Sequence, residues 1–214
     1  MSRALFPQAA TIVDAGVGNL GNLRRAVERV GGAAHVTLQP DEVARARCLL
    51  LPGVGAFRPP REALRGELEA SLHAALDAGA ALLGICVGYQ LFFDSSDEFG
   101  ATDGLGLLDG RVARLEGGVS VPQIGWNRLQ IERAHPLFDG LGSAPHLYFV
   151  NSYAPIDVAP EQRLATTRHG RTFVAVAGRG RVLGTQFHPE KSGEVGLRLL
   201  RNFLELSTRQ GAWS

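Results

Sequence analysis

The sequence predicts an α/β fold: a doubly wound, mostly parallel sheet with helices on both faces, and additional antiparallel strands in the second half. Three observations predict it. Short apolar runs alternate with amphipathic helical patterns through the first half, the order that builds parallel sheets. Residues 80–85 (AALLGI) are apolar without interruption, which suits a strand buried on both faces. The second half instead carries short strand patterns at turn-like spacing.

In chain order, residues 11–15 (TIVDA) predict the first strand, and residues 19–30 a helix ended by Gly31 and Gly32. Strands are expected at residues 34–38 and 48–51, the latter closed by Pro52 and Gly53. Residues 61–78 predict one helix, with Leu64, Leu68, Leu72 and Leu76 on a single stripe and Gly79 as its stop. The buried run at residues 80–85 follows. Strand candidates then come at residues 111–115, 128–132, 146–150, 164–167, 172–177 and 181–185. A closing helix over residues 193–208 would bury Val195, Leu199, Phe203 and Leu206. No internal repeat, low-complexity tract or linker interrupts the pattern, so residues 1–214 are expected to form one domain.

Composition narrows the function classes. The 214 residues are 45% hydrophobic and 20% charged, enough for a sizeable core. A net charge of +1 offers no field to gather nucleic acid or an anionic membrane surface, and no apolar run reaches the length of a membrane span. The first ten residues lack the charged and apolar regions of a secretory signal, and only two cysteines, Cys48 and Cys86, are present. Together these features point to a reducing, cytoplasmic setting.

The sharpest chemical pattern is GICVG, residues 84–88, between the buried strand and a helical pattern. This is the layout of a nucleophile elbow with cysteine in place of serine. Flanking glycines permit a tight turn that pushes the sulfur out at the strand end. A following helix N-terminus favours thiolate, and the Val87 amide is placed to help stabilise an oxyanion. Alone, the same pattern also fits a buried cysteine between glycines that pack a helix on a strand. Gln90 follows Cys86 by one helical turn, so its amide can serve a substrate on the same face or lie on the surface.

A second pattern, QFHPEKS (186–192), follows the last predicted strand. Pro189 favours extended backbone at His188, and in extended conformation His188 and Glu190 point the same way. A carboxylate beside an imidazole fixes its tautomer and supports its charge, as a catalytic triad requires. A strand-end histidine in a surface ion pair fits the same three residues. Both patterns, however, fall just past buried strands, where α/β sheets gather ligands. The glycine-rich turn LPGVGAF (51–57) lacks the lysine of a phosphate-binding loop and suits a backbone amide donated toward Cys86. The remaining histidines show no metal-ligand spacing, and Cys48 lies in an apolar run as a core residue.

Taken together, GICVGYQ, QFHPEKS and LPGVGAF resemble the class I, triad-type glutamine amidotransferases. DAGVGNLGN (14–22), SSDEFG (95–100), GLGLLDGRV (104–112), VPQIGWN (121–127), HPLF (135–138) and YFVNSY (148–153) extend the resemblance to the glutaminase subunits of imidazole glycerol phosphate synthases, in order and over nearly the whole chain. The resemblance implies a Cys86–His188–Glu190 triad acting on L-glutamine without a cofactor or metal. It implies oxyanion-hole amides from Val54 and Val87, and substrate contacts from Gly53, Gln90, Glu98, Ser152 and Tyr153. It also implies a cyclase subunit as partner, met by Asn19, Asn22, Trp126, Tyr148 and Lys191. The sequence departs from the family pattern at Ala15, Tyr89, Gln123 and Asn151, and the tail at 210–214 has no assigned counterpart. Two alternatives stay open: a glutaminase subunit serving tryptophan or purine synthesis, and a non-catalytic regulatory subunit of the same fold.

Overall fold

The computed structural model describes residues 6, 8–209 and 213, so most of the tail and of the first seven residues lie outside the described residues. Its first half is a run of strand–helix units. Strand β1 (Ala10–Val13) leads to helix α1 (Leu20–Arg29), strand β2 (Ala34–Thr37), helix α2 (Pro40–Arg45) and strand β3 (Cys48–Gly53). Helices α3 (Arg58–Leu64) and α4 (Glu67–Asp77) precede strand β4 (Ala81–Cys86) and the one-turn helix α5 (Val87–Gln90). Short strands β5 (Ser95–Ser96) and β6 (Thr102–Asp103) follow, then β7 (Arg111–Arg114), β8 (Gln123–Arg128), β9 (Gln130–Ile131), β10 (His146–Asn151) and β11 (Tyr153–Ile156). Strands β12 (Arg163–His169), β13 (Arg171–Arg179) and β14 (Val182–Thr185) and helix α6 (Gly193–Ser207) complete the order.

Among the described residues, eight strands form the main sheet in the order β2-β1-β3-β4-β14-β13-β12-β9. From β2 to β14 neighbours run parallel; from β14 outward they run antiparallel. Alternation along the central strands divides the core. Ile12, Leu50 and Leu83 pack with Leu23 of α1 and Leu200 of α6 on one face. Val13, Leu51 and Leu82 pack with Val43 of α2, Leu64 of α3 and Leu72 of α4 on the other. The predicted doubly wound architecture is therefore present, and no helix among the described residues is long and apolar enough to cross a membrane.

Two expectations need correction. The single helix expected at residues 61–78 is two helices, because Gly66 adopts φ +84° and interrupts the ladder. Arg61 braces the bend by donating to both carboxylate oxygens of Glu69 at 2.7 and 2.9 Å. The strand expected at residues 128–132 is divided at Leu129: β8 pairs antiparallel with β10 in a separate ribbon, while β9 pairs with β12 at the edge of the main sheet. Strand β11 and helix α2 were not expected; both are short and proline-containing, with little periodicity to read.

Candidate active site

Parallel strands β3 and β4 end in register, with Gly53 opposite Cys86. Cys86 itself turns the chain into α5 at φ +56°, ψ −111°, a left-handed conformation that costs a non-glycine residue energy and is kept only where surrounding packing enforces it. The packing is backbone on backbone. A Cβ placed on Gly88 would stand 1.8 Å from the carbonyl oxygen of Leu51, and one on Gly53 would stand 2.7 Å from the Gly88 nitrogen. Only glycine lets β3 and α5 meet this closely. The turn leaves Cys86 3% exposed, at the wall of a cavity of about 730 Å³.

Strand β14 lies beside β4, with Thr185 opposite Ile85, so the chain that leaves β14 runs past Cys86. His188 is extended (φ −97°, ψ 98°), as the following proline favours. Glu190 is not: it sits in a 3₁₀ turn, Pro189–Lys191, which brings its carboxylate back to the ring nitrogen Nδ1. His188 Nδ1 and Glu190 Oε1 are 2.8 Å apart, with both side chains almost fully buried. Glu190 Oε2 is buried with no partner among the described residues. The histidine backbone is clamped to β10: its N–H donates to the Tyr148 carbonyl at 2.9 Å, and its carbonyl accepts from Ser192 Oγ at 2.6 Å. Burial opposes charge on the imidazole, but hydrogen bonds and charge interactions with Cys86 and Glu190 outweigh it, raising the His188 pKa from 6.5 to about 10.

The same cavity is lined by Val54, Val87, Gln90, Glu98, Ser152, Tyr153, Asn19 and Lys191. Glu98 accepts from the Phe57 N–H at 2.7 Å, and burial raises its pKa above the usual carboxylate value. Gln90, for which the sequence left a surface position open, is buried: its Nε2 donates to the Tyr153 carbonyl and to Gln186 Oε1, each at 3.0 Å. Gly53 lies behind Val87 and does not line the cavity itself. Asn22 also stands apart from it, donating its backbone N–H to Asn19 Oδ1 at the start of α1 and lining a smaller cavity with Glu190. Trp126 and Tyr148 are cross-strand neighbours on β8 and β10, stacked edge to face at 6.0 Å, and Trp126 is 57% exposed. Cys48 is buried in β3, where desolvation pushes its thiol up to about 11.

Two features escaped sequence reasoning. Gln186, part of the QFHPEKS pattern, is fully buried and points its Nε2 at the Cys86 sulfur, 3.7 Å away; its place directly after β14 was the available clue. The departures Gln123 and Asn151 face each other across β8 and β10, and each buries a side-chain oxygen without a partner among the described residues.

The chain matches known proteins over nearly all of its length. The family model described as Glutamine amidotransferase class-I matches residues 11–206. The imidazole glycerol phosphate synthase subunit HisH of Salinibacter ruber is 44% identical over 210 residues, covering 94% of this chain and 96% of that protein. Its counterpart from Symbiobacterium thermophilum is 49% identical over 193 residues, covering 90% and 91%. A crystal structure described as a glutamine amidotransferase superposes with a TM-score of 0.74 at 24% identity, covering 94% of this chain and 99% of that one, and shares the fold. This chain therefore belongs to the class I glutamine amidotransferases, within the family of imidazole glycerol phosphate synthase HisH subunits.

Proposed function

We propose that this chain hydrolyses L-glutamine to glutamate and ammonia at Cys86, as the cytoplasmic glutaminase partner of a cyclase subunit in histidine biosynthesis. Residues 1–214 would act as one glutaminase domain. The observation that carries this reading is the arrangement of Cys86, His188 and Glu190: a strained cysteine at a strand end and a carboxylate on opposite sides of one imidazole, facing a cavity of about 730 Å³.

With its pKa raised to about 10, His188 already holds the proton of the Cys86–His188 pair at neutral pH, and the sulfur attacks the side-chain amide carbon of glutamine. The Val54 and Val87 amides receive the developing oxyanion. The imidazolium then gives its proton to the departing nitrogen, ammonia leaves, and water activated by His188 hydrolyses the thioester. Glu190 holds Nδ1 protonated so that the other ring nitrogen serves the sulfur. Glu98 offers a carboxylate to the substrate's α-ammonium group, while Gln90 and the backbone at Ser152 and Tyr153 complete the cradle and Gly53 supports it from behind Val87.

The partner reading rests on the face beside the cavity. Ile124 and Trp126 are exposed side by side on β8, opposite Tyr148 on β10, and Lys191 stands at the cavity rim. An exposed aromatic anchor next to a catalytic mouth suits a docked subunit that receives ammonia directly. Asn19 and Asn22, at the start of α1, would extend the same contact.

The chemical step is tested by acid-quenching the chain during turnover of glutamine, with the cyclase present, and weighing the Cys86 peptide. A glutamyl adduct on that peptide, absent in Cys86→Ala, is the expected result. Turnover with no adduct at Cys86 under conditions that preserve thioesters would exclude the covalent route.

A further inference from the structure

The buried amides of Gln90 and Gln186 form a chain whose polarity is set at one end and delivered at the other. The Tyr153 backbone carbonyl can only accept a hydrogen bond. Gln90 Nε2 donates to it at 3.0 Å, which fixes which end of the Gln90 amide is nitrogen. The second proton on that nitrogen goes to Gln186 Oε1, also at 3.0 Å. The Gln186 amide is thereby oriented as well, because its oxygen must face Gln90. Its NH₂ group then faces the Cys86 sulfur at 3.7 Å. Gln186 is 0% exposed, so solvent cannot take over either bond. Its backbone is held too, donating to the Ala175 carbonyl at 2.8 Å.

We propose that Gln186 is a positioning residue for Cys86: its amide, polarised through Gln90 by the Tyr153 carbonyl, donates to the sulfur and holds it in its reactive, charged form. This rests on the assignment of Cys86 as nucleophile. His188 also hydrogen-bonds the sulfur and favours its charged form, while a backbone neighbour works against it. The Val150 carbonyl lies 3.8 Å away, where it receives the S–H of a neutral thiol and repels a thiolate. Gln186 supplies the opposite preference. A donor to the charged sulfur favours ionisation and fixes the sulfur's direction, whereas a side chain that only filled space would do neither. Gln90 thereby acquires a second duty, since both of its N–H groups are committed to this chain and its carbonyl oxygen remains for the cavity.

The test compares Gln186→Met, which keeps the length and removes the donor, with Gln186→Glu, which sets a carboxylate against the sulfur. Alkylation of Cys86 by iodoacetamide is followed by peptide mass as a function of pH, alongside glutamine turnover of the complex with the cyclase subunit. The pH of half-maximal alkylation should rise by about one unit in Gln186→Met and further in Gln186→Glu. The turnover number should fall about tenfold while KM changes by less than about threefold. A packing role would lower the melting temperature and leave the alkylation profile in place; an unmoved profile in both variants, or in Gln186→Glu if the Met variant does not fold, overturns the proposal. If alkylating Cys86 in the unaltered chain leaves glutamine hydrolysis intact, the nucleophile assignment itself fails, and Gln186's role with it.

Discussion

His188 and Glu190 are two residues apart in the chain but belong to different local structures, and this difference makes their 2.8 Å hydrogen bond. His188 ends an extended segment, while Glu190 turns with Pro189 into a 3₁₀ helix that folds the carboxylate back to Nδ1. The bond selects the tautomer that leaves Nε2 for the sulfur. Replacing Glu190 by Gln keeps the base and loses its charge support, so ammonia release should fall by a factor about a hundredfold milder than in His188→Asn. Initial-rate assays with the cyclase present check the order; equal losses in both variants would mean that Glu190 does more than orient.

The proton on His188 also links the site to stability. Its folded-state pKa, about 10, lies above the ordinary value of 6.5, so folding binds the proton more tightly. The stabilisation is complete below about pH 6.5 and is lost as pH rises toward 10. The melting-temperature advantage of the wild type over His188→Asn should therefore shrink steadily across that window. A difference that grew with pH would reverse the assignment.

Gly88 has no room for a methyl group, because Leu51 O would lie 1.8 Å from its Cβ. Gly88→Ala should force β3 away from α5, costing about 1–3 kcal/mol of stability and misplacing Cys86. Chemical denaturation measures the first effect and ammonia release the second. An Ala variant with wild-type values for both would show that the elbow is more compliant than its backbone contacts indicate.

Trp126, 57% exposed beside Tyr148, is the strongest anchor on the proposed docking face. Trp126→Ala should weaken binding of a cyclase subunit by about 2 kcal/mol, roughly thirtyfold in Kd, without changing the melting temperature of the isolated chain. Lys191→Ala should cost about 2–5 kcal/mol if its charge is paired and desolvated in the complex, and at most about 1 if it stays wet. Calorimetric titration distinguishes these values. Unchanged affinity in both variants would move the interface elsewhere.

The architecture was legible wherever burial on both faces left continuous apolar runs, as at residues 81–85, and wherever a helix kept a clean stripe, as in α6. It was illegible where a backbone angle decided the outcome. The leucines of residues 61–78 keep their spacing across the break, and only the +84° φ of Gly66 reveals two helices. Within the site, Cys86, His188 and Glu190 stood out because their residue types imply chemistry. Gln186 did not, because an amide acquires its meaning only from what lies around it: here a sulfur, a second amide and complete burial.

Production of glutamate and ammonia from L-glutamine, measured in parallel for the wild type, Cys86→Ala and Cys48→Ala with a cyclase subunit present, tests the central claim most directly. The two cysteines differ in every relevant respect: Cys86 lines the cavity beside His188, while Cys48 is sealed in β3 with its thiol pushed up to about 11. The account predicts that Cys86→Ala folds and is inactive and that Cys48→Ala retains most of its activity. A folded Cys86→Ala variant that still releases ammonia at the wild-type rate would contradict it.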